Sequence, residues 1–337
     1  MGGTYNSVVR GGDSLFVNPA ALMKSSLLEV KLLGLGVGSN GLDLYNQFKD
    51  DHNFKTPADF AKVYGKDVFL GLNAKSSVVF GRFGVAGYSD SYILAKFHSP
   101  PNPNFNATYI SDYGVVVGGA IPVGPETAVG VAFKRIVRTG GTKDIDLGVL
   151  LDTNAREALV NSFKDKGVGY GADVSLMTTL PTAFSPTVVV SWQDVGSTSF
   201  SQTDGQSSPP RIKDNLSLGA STTLDLPGFD WTNAVEYKFI THQGEDLGKK
   251  LHIGTEISLP FIDLRAGFSQ GYTTYGVGLN LSLVRLDAAM YKTELGAYPG
   301  QTGNDRLQIG LTIDFSFDAD FNIVDSNGKK RSLKQRR

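Results

Sequence analysis

Several stretches of this chain alternate, side chain by side chain, between apolar and polar or very small residues. Leu307, Ile309, Leu311, Ile313, Phe315 and Phe317 take one face of a stretch, while Gln308, Gly310, Thr312, Asp314 and Ser316 take the other. Leu216, Leu218, Ala220, Thr222, Leu224 and Leu226 oppose Ser217, Gly219, Ser221, Thr223 and Asp225. Leu251, Ile253, Ile257 and Leu259 oppose His252, Gly254, Glu256 and Ser258, and Tyr275 to Leu283 repeats the pattern. Period-two alternation is the signature of a strand with one greasy and one polar face. A soluble sheet gives it too, usually over five or six residues. These stretches are longer, close to the nine to eleven residues that cross a hydrocarbon layer as a tilted strand.

Composition points the same way. Charged residues are 19% of the 337, below the roughly 25% of soluble domains, and there are 40 glycines. With 32 basic against 33 acidic residues there is no field to attract nucleic acid. No cysteine is present, which excludes disulfides, thiolate metal sites and cysteine nucleophiles. The longest low-charge stretch, Tyr113 to Phe133, is broken by Pro122, Pro125 and Glu126, so no transmembrane helix is expected. A chain like this spans a membrane only as a closed barrel.

Fourteen strands are expected, over 26–38, 66–74, 78–97, 105–121, 127–139, 168–180, 187–199, 214–226, 231–241, 250–259, 262–269, 273–283, 286–294 and 305–317. Short, proline- or aspartate-marked connections alternate with longer polar ones, among them 39–65, 140–167 and 200–213, as in a transmembrane barrel. The fold class is therefore an all-β, transmembrane antiparallel barrel of about 14 strands (residues 26–317). Residues 1–25 lack strand periodicity and form an N-terminal plug in the lumen, and 318–337 form a basic periplasmic tail. The start of the chain has no basic and apolar leader, so an outer-membrane location implies a signal peptide already removed.

Gly2-Gly3-Thr4-Tyr5, followed by Asp13-Ser14-Leu15-Phe16-Val17-Asn18-Pro19-Ala20-Ala21-Leu22, resembles the N-terminal pattern of the FadL-like outer-membrane barrels. Ala21 stands where that family usually has glycine, and Tyr298-Pro299-Gly300 matches a feature of its PorV- and TraF-like branches. The resemblance implies a fourteen-stranded barrel with an N-terminal hatch. The function it implies is a channel for hydrophobic or small solutes. The alternative is a PorV-like adaptor, a scaffold in a secretion or surface-assembly complex that transports nothing.

The candidate gate or ligand residues are Phe16, Asn18, Pro19 and Leu22, at the proline-fixed bend between plug and first strand. A luminal polar network is expected from Glu236, Lys238, Glu256, Asp263 and Arg265, with Asp287 and Asp314 on the same inward parity. Charges removed from bulk water persist when paired, so this network ties plug to wall or lines a solute path. Tyr88, Tyr109, Tyr113, Tyr170, Trp192, Trp231, Tyr237, Tyr272, Tyr275 and Tyr291 are expected in interfacial girdles. His242 and His252 read as polar strand-end positions rather than metal ligands. No GxSxG, phosphate loop or strand-to-helix GxGxxG is present, so no enzyme, metal or cofactor is expected. The expected partners are outer-membrane lipid, a hydrophobic solute, and envelope proteins at loops 39–65 and 140–167 or at the tail; nucleic acid is not among them.

Overall fold

The computed structural model describes residues 1–40, 65, 67–97, 104–146, 161, 163–182, 184–281 and 283–317. Nearly all of loop 39–65, most of 140–167 and the whole tail 318–337 lie outside the described residues. Fifteen strands are present: β1 (Leu28–Ser39), β2 (Asp67–Phe80), β3 (Phe83–Phe97), β4 (Asn104–Gly124), β5 (Thr127–Asp146), β6 (Lys166–Thr179), β7 (Thr187–Gln193), β8 (Phe200–Asp204), β9 (Asn215–Leu226), β10 (Phe229–Tyr237), β11 (Leu251–Ser258), β12 (Ile262–Ser269), β13 (Tyr272–Leu281), β14 (Val284–Glu294) and β15 (Gly303–Phe317). All pairings are antiparallel, and β1 pairs with β15 while β5 pairs with β6. The sheet therefore closes on itself. β6 meets β7 through Val174–Thr179 and β8 through Lys166–Gly169, so β7 and β8 share one place and the wall has fourteen.

Several boundaries differ from those expected: β5 runs on to Asp146 instead of ending at 139, β10 ends at Tyr237 instead of 241, and two further differences bear on the site. The second strand runs on to Phe80, and its hairpin turns at Gly81 and Arg82, where Gly81 takes φ 58°. Val78 and Phe80 thus complete the outward row of β2 instead of opening the next strand. The seventh strand stops at Gln193, and residues 200–204, expected in a loop, return to the wall. Asp194, Gly196 and Ser197 all take positive φ, which a pleated strand cannot accommodate. The Asp194 amide donates to Asp173 Oδ1, and a bridge between Thr198 and Ile212 keeps the wall joined across the break.

The two faces of the sheet settle what the alternation is for. Leu70, Leu72, Val115, Val117, Leu218, Ile253, Val277 and Ile309 all remain at least 40% exposed on the outer surface. Asp173, Ser191, Ser217 and Asp263 are fully buried on the inner one. This is the inverse of a soluble core, and an apolar outer belt on a closed barrel is stable only against acyl chains. Apart from the place that β7 and β8 divide, strand length varies around the wall from 21 and 20 residues in β4 and β5 to eight in β11 and β12.

Residues 1–25 fold into a short helix, α1 (Ser14–Val17), between two tight turns, Gly11–Asp13 and Pro19–Lys24. They pack against inward-facing side chains. Leu15 and Leu22 sit with Val79, Ala86, Val116, Ala120 and Ala132, and Ala20 and Ala21 sit with Ala128, Met177 and Val189. Small residues on the wall let the segment approach closely, most of all at Gly130, where a Cβ would stand 2.0 Å from the Ala20 amide nitrogen.

Candidate functional site

The bend expected at Asn18-Pro19 is present and tightly held. Asn18 is fully buried, its amide donates to the Asn6 carbonyl at 2.8 Å, and Pro19 opens the second tight turn. The Ala20 amide donates to Ser175 Oγ at 2.8 Å, and the Ser191 hydroxyl donates to the Val17 carbonyl. Leu22 is fully buried, whereas Phe16 is only partly so and meets Tyr88 of β3 edge-to-face at 5.4 Å. Asp13, just before α1, is clasped by Lys31 at 2.6 Å and Lys75 at 2.7 Å. Burial raises the Asp13 pKa, but the two ammonium groups outweigh it and hold the carboxyl well below its usual range. Desolvation, aided by Arg10, brings the Lys24 ammonium down to about 8.

The five residues expected in a luminal network fall into two groups. Glu236 and Lys238 hold the N-terminal segment: Glu236 Oε2 accepts from the Tyr5 amide at 2.7 Å, and Lys238 Nζ donates to the Gly3 carbonyl at 2.6 Å. Arg265 is the hub of the other group. It reaches Glu256 at 2.5 Å, Asp287 at 2.7 Å and Asp263 at 3.1 Å. Arg285, which the sequence reading left in a turn, joins it through Asp287 at 3.0 Å. His252, expected as a plain polar position, also serves the N-terminal segment, with Nδ1 2.9 Å from the Gly2 carbonyl.

Three girdle assignments are corrected. Tyr88, Tyr272 and Tyr291 face the lumen, whereas Tyr113, Tyr170, Trp192, Trp231 and Tyr275 are exposed on the outer surface. Tyr291 lines an inward cavity of about 350 Å³ at the loop-side mouth, with Gly38, Phe69, Gly71, Asn73, Asp90, Tyr92, Leu94, Arg306 and Gln308. The bare backbone of Gly38 and Gly71 makes room for the Phe69 ring, and the Arg306 guanidinium lies 3.7 Å from that ring's centroid. The Phe69 and Tyr92 rings stand 6.4 Å apart. On the inner face of β3, Tyr92, Asp90 and Tyr88 follow one another at every second residue, so an aromatic stripe leads from the cavity down to Phe16. Of these residues, the sequence reading picked only Phe16 for the site. Strand parity carried the signal: once β2 is extended to Phe80, Phe69, Asn73, Tyr92 and Asp90 share the inward face.

No family model and no curated protein sequence matches the chain. Solved structures do. The toluene transporter TodX of P. putida has 11% sequence identity and a TM-score of 0.54, with 94% of this chain and 97% of that chain covered. The monoaromatic hydrocarbon channel CymD has 10% identity and a TM-score of 0.52, with coverage of 94% and 95%. A deletion mutant of TodX reaches 0.55 at 13% identity. At this level of identity the likeness establishes the fold, which is the one the FadL-like resemblance implied.

Proposed function

We propose that this chain, a closed barrel with the fold of the FadL-like outer-membrane proteins, is an outer-membrane channel for small hydrophobic solutes. The observation that carries the reading is a set of inward-facing aromatic rings, interrupted on β3 by Asp90. Phe69, Tyr92 and Tyr291 gather at the mouth, and Tyr88 continues the set to Phe16 of the N-terminal segment. The apolar inner-wall residues around Val79 and Met177 are covered by the N-terminal segment, and much of the remaining described inner wall carries hydroxyls, amides and paired charges. A solute that sheds water gains only along the aromatic stripe, at roughly 25 cal/mol per Å² of apolar area covered. Phe16 then stands at the foot of the path, with Asn18, Pro19 and Leu22 fixing the segment that closes it.

Flux of a radiolabelled monoaromatic into liposomes carrying the purified protein tests this. Uptake above protein-free vesicles is expected, falling at least fivefold in Tyr92→Asp. Wild-type uptake no faster than in protein-free vesicles overturns the channel reading. That result would favour an adaptor, a reading supported by the many wall strands that grip residues 1–25.

A further inference from the structure

Charges on the inner wall are, as a rule, matched. Arg138 meets Asp112 at 2.6 Å, Lys134 meets Asp173 at 2.8 Å and Asp194 at 2.9 Å, and Arg265 is ringed by three carboxylates. The mouth cavity breaks this rule twice. Arg306 stacks on Phe69 and its Nε donates to Asn304, but among the described residues it meets no carboxylate. The neighbouring Asp305 is engaged by Lys292 at 3.0 Å. Asp90, in the same cavity and next to the Asp112–Arg138 pair, makes no hydrogen bond or ion pair of its own among the described residues and stands exposed in the lumen. Among the described residues, a cation that meets no carboxylate and an anion that contacts no cation thus face one aromatic chamber. They do not neutralise each other. Asp90 is in register with Asn73, and Phe69, under the guanidinium, is in register with Leu94. That offset is four residues, on the order of 13 Å along the strand.

We infer that the mouth cavity binds zwitterionic aromatic solutes of the class of aromatic dipeptides, whose two charged ends stand far enough apart to face both groups. The carboxylate lies on Arg306, the ammonium turns toward Asp90, and the ring packs among Tyr92, Tyr291 and Leu94. The Arg306 Nε is taken by Asn304 and Tyr291 is a second hydrogen-bond partner, so the guanidinium flattened on Phe69 offers a carboxylate its remaining N–H groups. A volume of about 350 Å³ lies at the small-ligand end of binding pockets. A purely anionic guest would leave Asp90 unanswered, and a neutral arene would leave both charges so. The inference rests on the reading of the barrel as a channel and replaces its hydrophobic solute with a charged aromatic one.

The test is equilibrium dialysis of the full chain in nanodiscs against five labelled probes: phenylalanine, glycyl-phenylalanine, 3-phenylpropanoate, phenethylamine and toluene. Glycyl-phenylalanine is expected to bind tenfold or more tighter than 3-phenylpropanoate and phenethylamine. Arg306→Gln and Asp90→Asn should each erase that margin, and Arg306→Lys should restore part of it. Asp90 makes no bond whose loss would unfold the wall, so Asp90→Asn keeps the test valid if the arginine variants misfold. Single-charge probes binding as tightly as glycyl-phenylalanine, or a margin untouched by Asp90→Asn, overturn the inference. Toluene binding alone overturns it and leaves the channel reading standing. Binding of no probe removes the cavity's role in both.

Discussion

Gly130→Ala is the sharpest probe of how the N-terminal segment is seated. The added methyl would stand 2.0 Å from the Ala20 nitrogen and 2.2 Å from the Pro19 carbonyl carbon. Both atoms are backbone, held by the Ala20–Ser175 hydrogen bond and the fixed φ of Pro19, so no side chain can swing aside. The segment must retreat by more than an ångström, which breaks that bond and opens the packing of Ala20, Ala21 and Met177. Overpacking of this kind costs about 2 kcal/mol. At 1.36 kcal/mol per decade, the unseated population rises about 30-fold. Planar-bilayer conductance should show more frequent openings, and protease should cleave within residues 1–25 far faster than in the wild type. The outer wall does not touch this contact, so heat-modifiable gel mobility should barely change. Unchanged conductance together with unchanged proteolysis would refute the seat on Gly130.

Asp13→Asn leaves Lys31 and Lys75 facing each other without their anion, and should loosen the segment by about 3 kcal/mol, read as faster proteolysis. The folded Asp13 pKa is depressed, so its stabilisation is complete above the unfolded value near 3.9 and is lost only as pH falls below it. Wild-type protection should therefore be flat from pH 8 to about pH 4 and then decline, and Asp13→Asn should lack the decline. Arg265→Met leaves Glu256 without its cation and Asp263 and Asp287 with Arg285 alone, and should lower the temperature at which the barrel unfolds on gels, at a cost of about 3 kcal/mol. In loop Asp165, hydrogen bonds from the Ser207 hydroxyl and then the Ser207 and Gln206 amides outweigh burial and hold the pKa at about 2. Asp165→Ala should expose the segment around Ser207 to protease, and in the wild type that protection should weaken only as pH drops from about 4 through 2.

The architecture was legible because a membrane wall demands strict parity at every residue. Leu307 to Phe317 announces both its faces, and no soluble sheet needs so many such ribbons. The errors lie where the backbone leaves the pleat. The break after Gln193 depends on positive φ at Asp194, Gly196 and Ser197, of which only the middle one is a glycine, so composition carried little warning. The turn at Gly81 was hidden by Val78 and Phe80, which suit either strand of the hairpin. The ionic groups were legible as a set, but their division was not: the partner of Glu236 is backbone of the distant Tyr5, and no side-chain pattern encodes that contact. The mouth cavity draws on β1, β2, β3, β14 and β15, the two ends of the chain, which only closure of the wall brings together. The clustering of Glu294 with the Gly296, Gln301 and Thr302 amides likewise emerges only once the last hairpin is paired.

The uneven heights of the strands bear on how the molecule rests in its lipid. Eight residues rise roughly 26 Å along a strand, and the tilt of a barrel cuts this to about 20 Å, less than the apolar band of about 25 Å. The 21 residues of β4 overshoot the same band generously. Beside β11 and β12 the bilayer has to pinch, or the whole cylinder has to lean toward that flank. Either response makes one sector of the surrounding membrane thinner than the rest, and the molecule carries that dent with it wherever it diffuses.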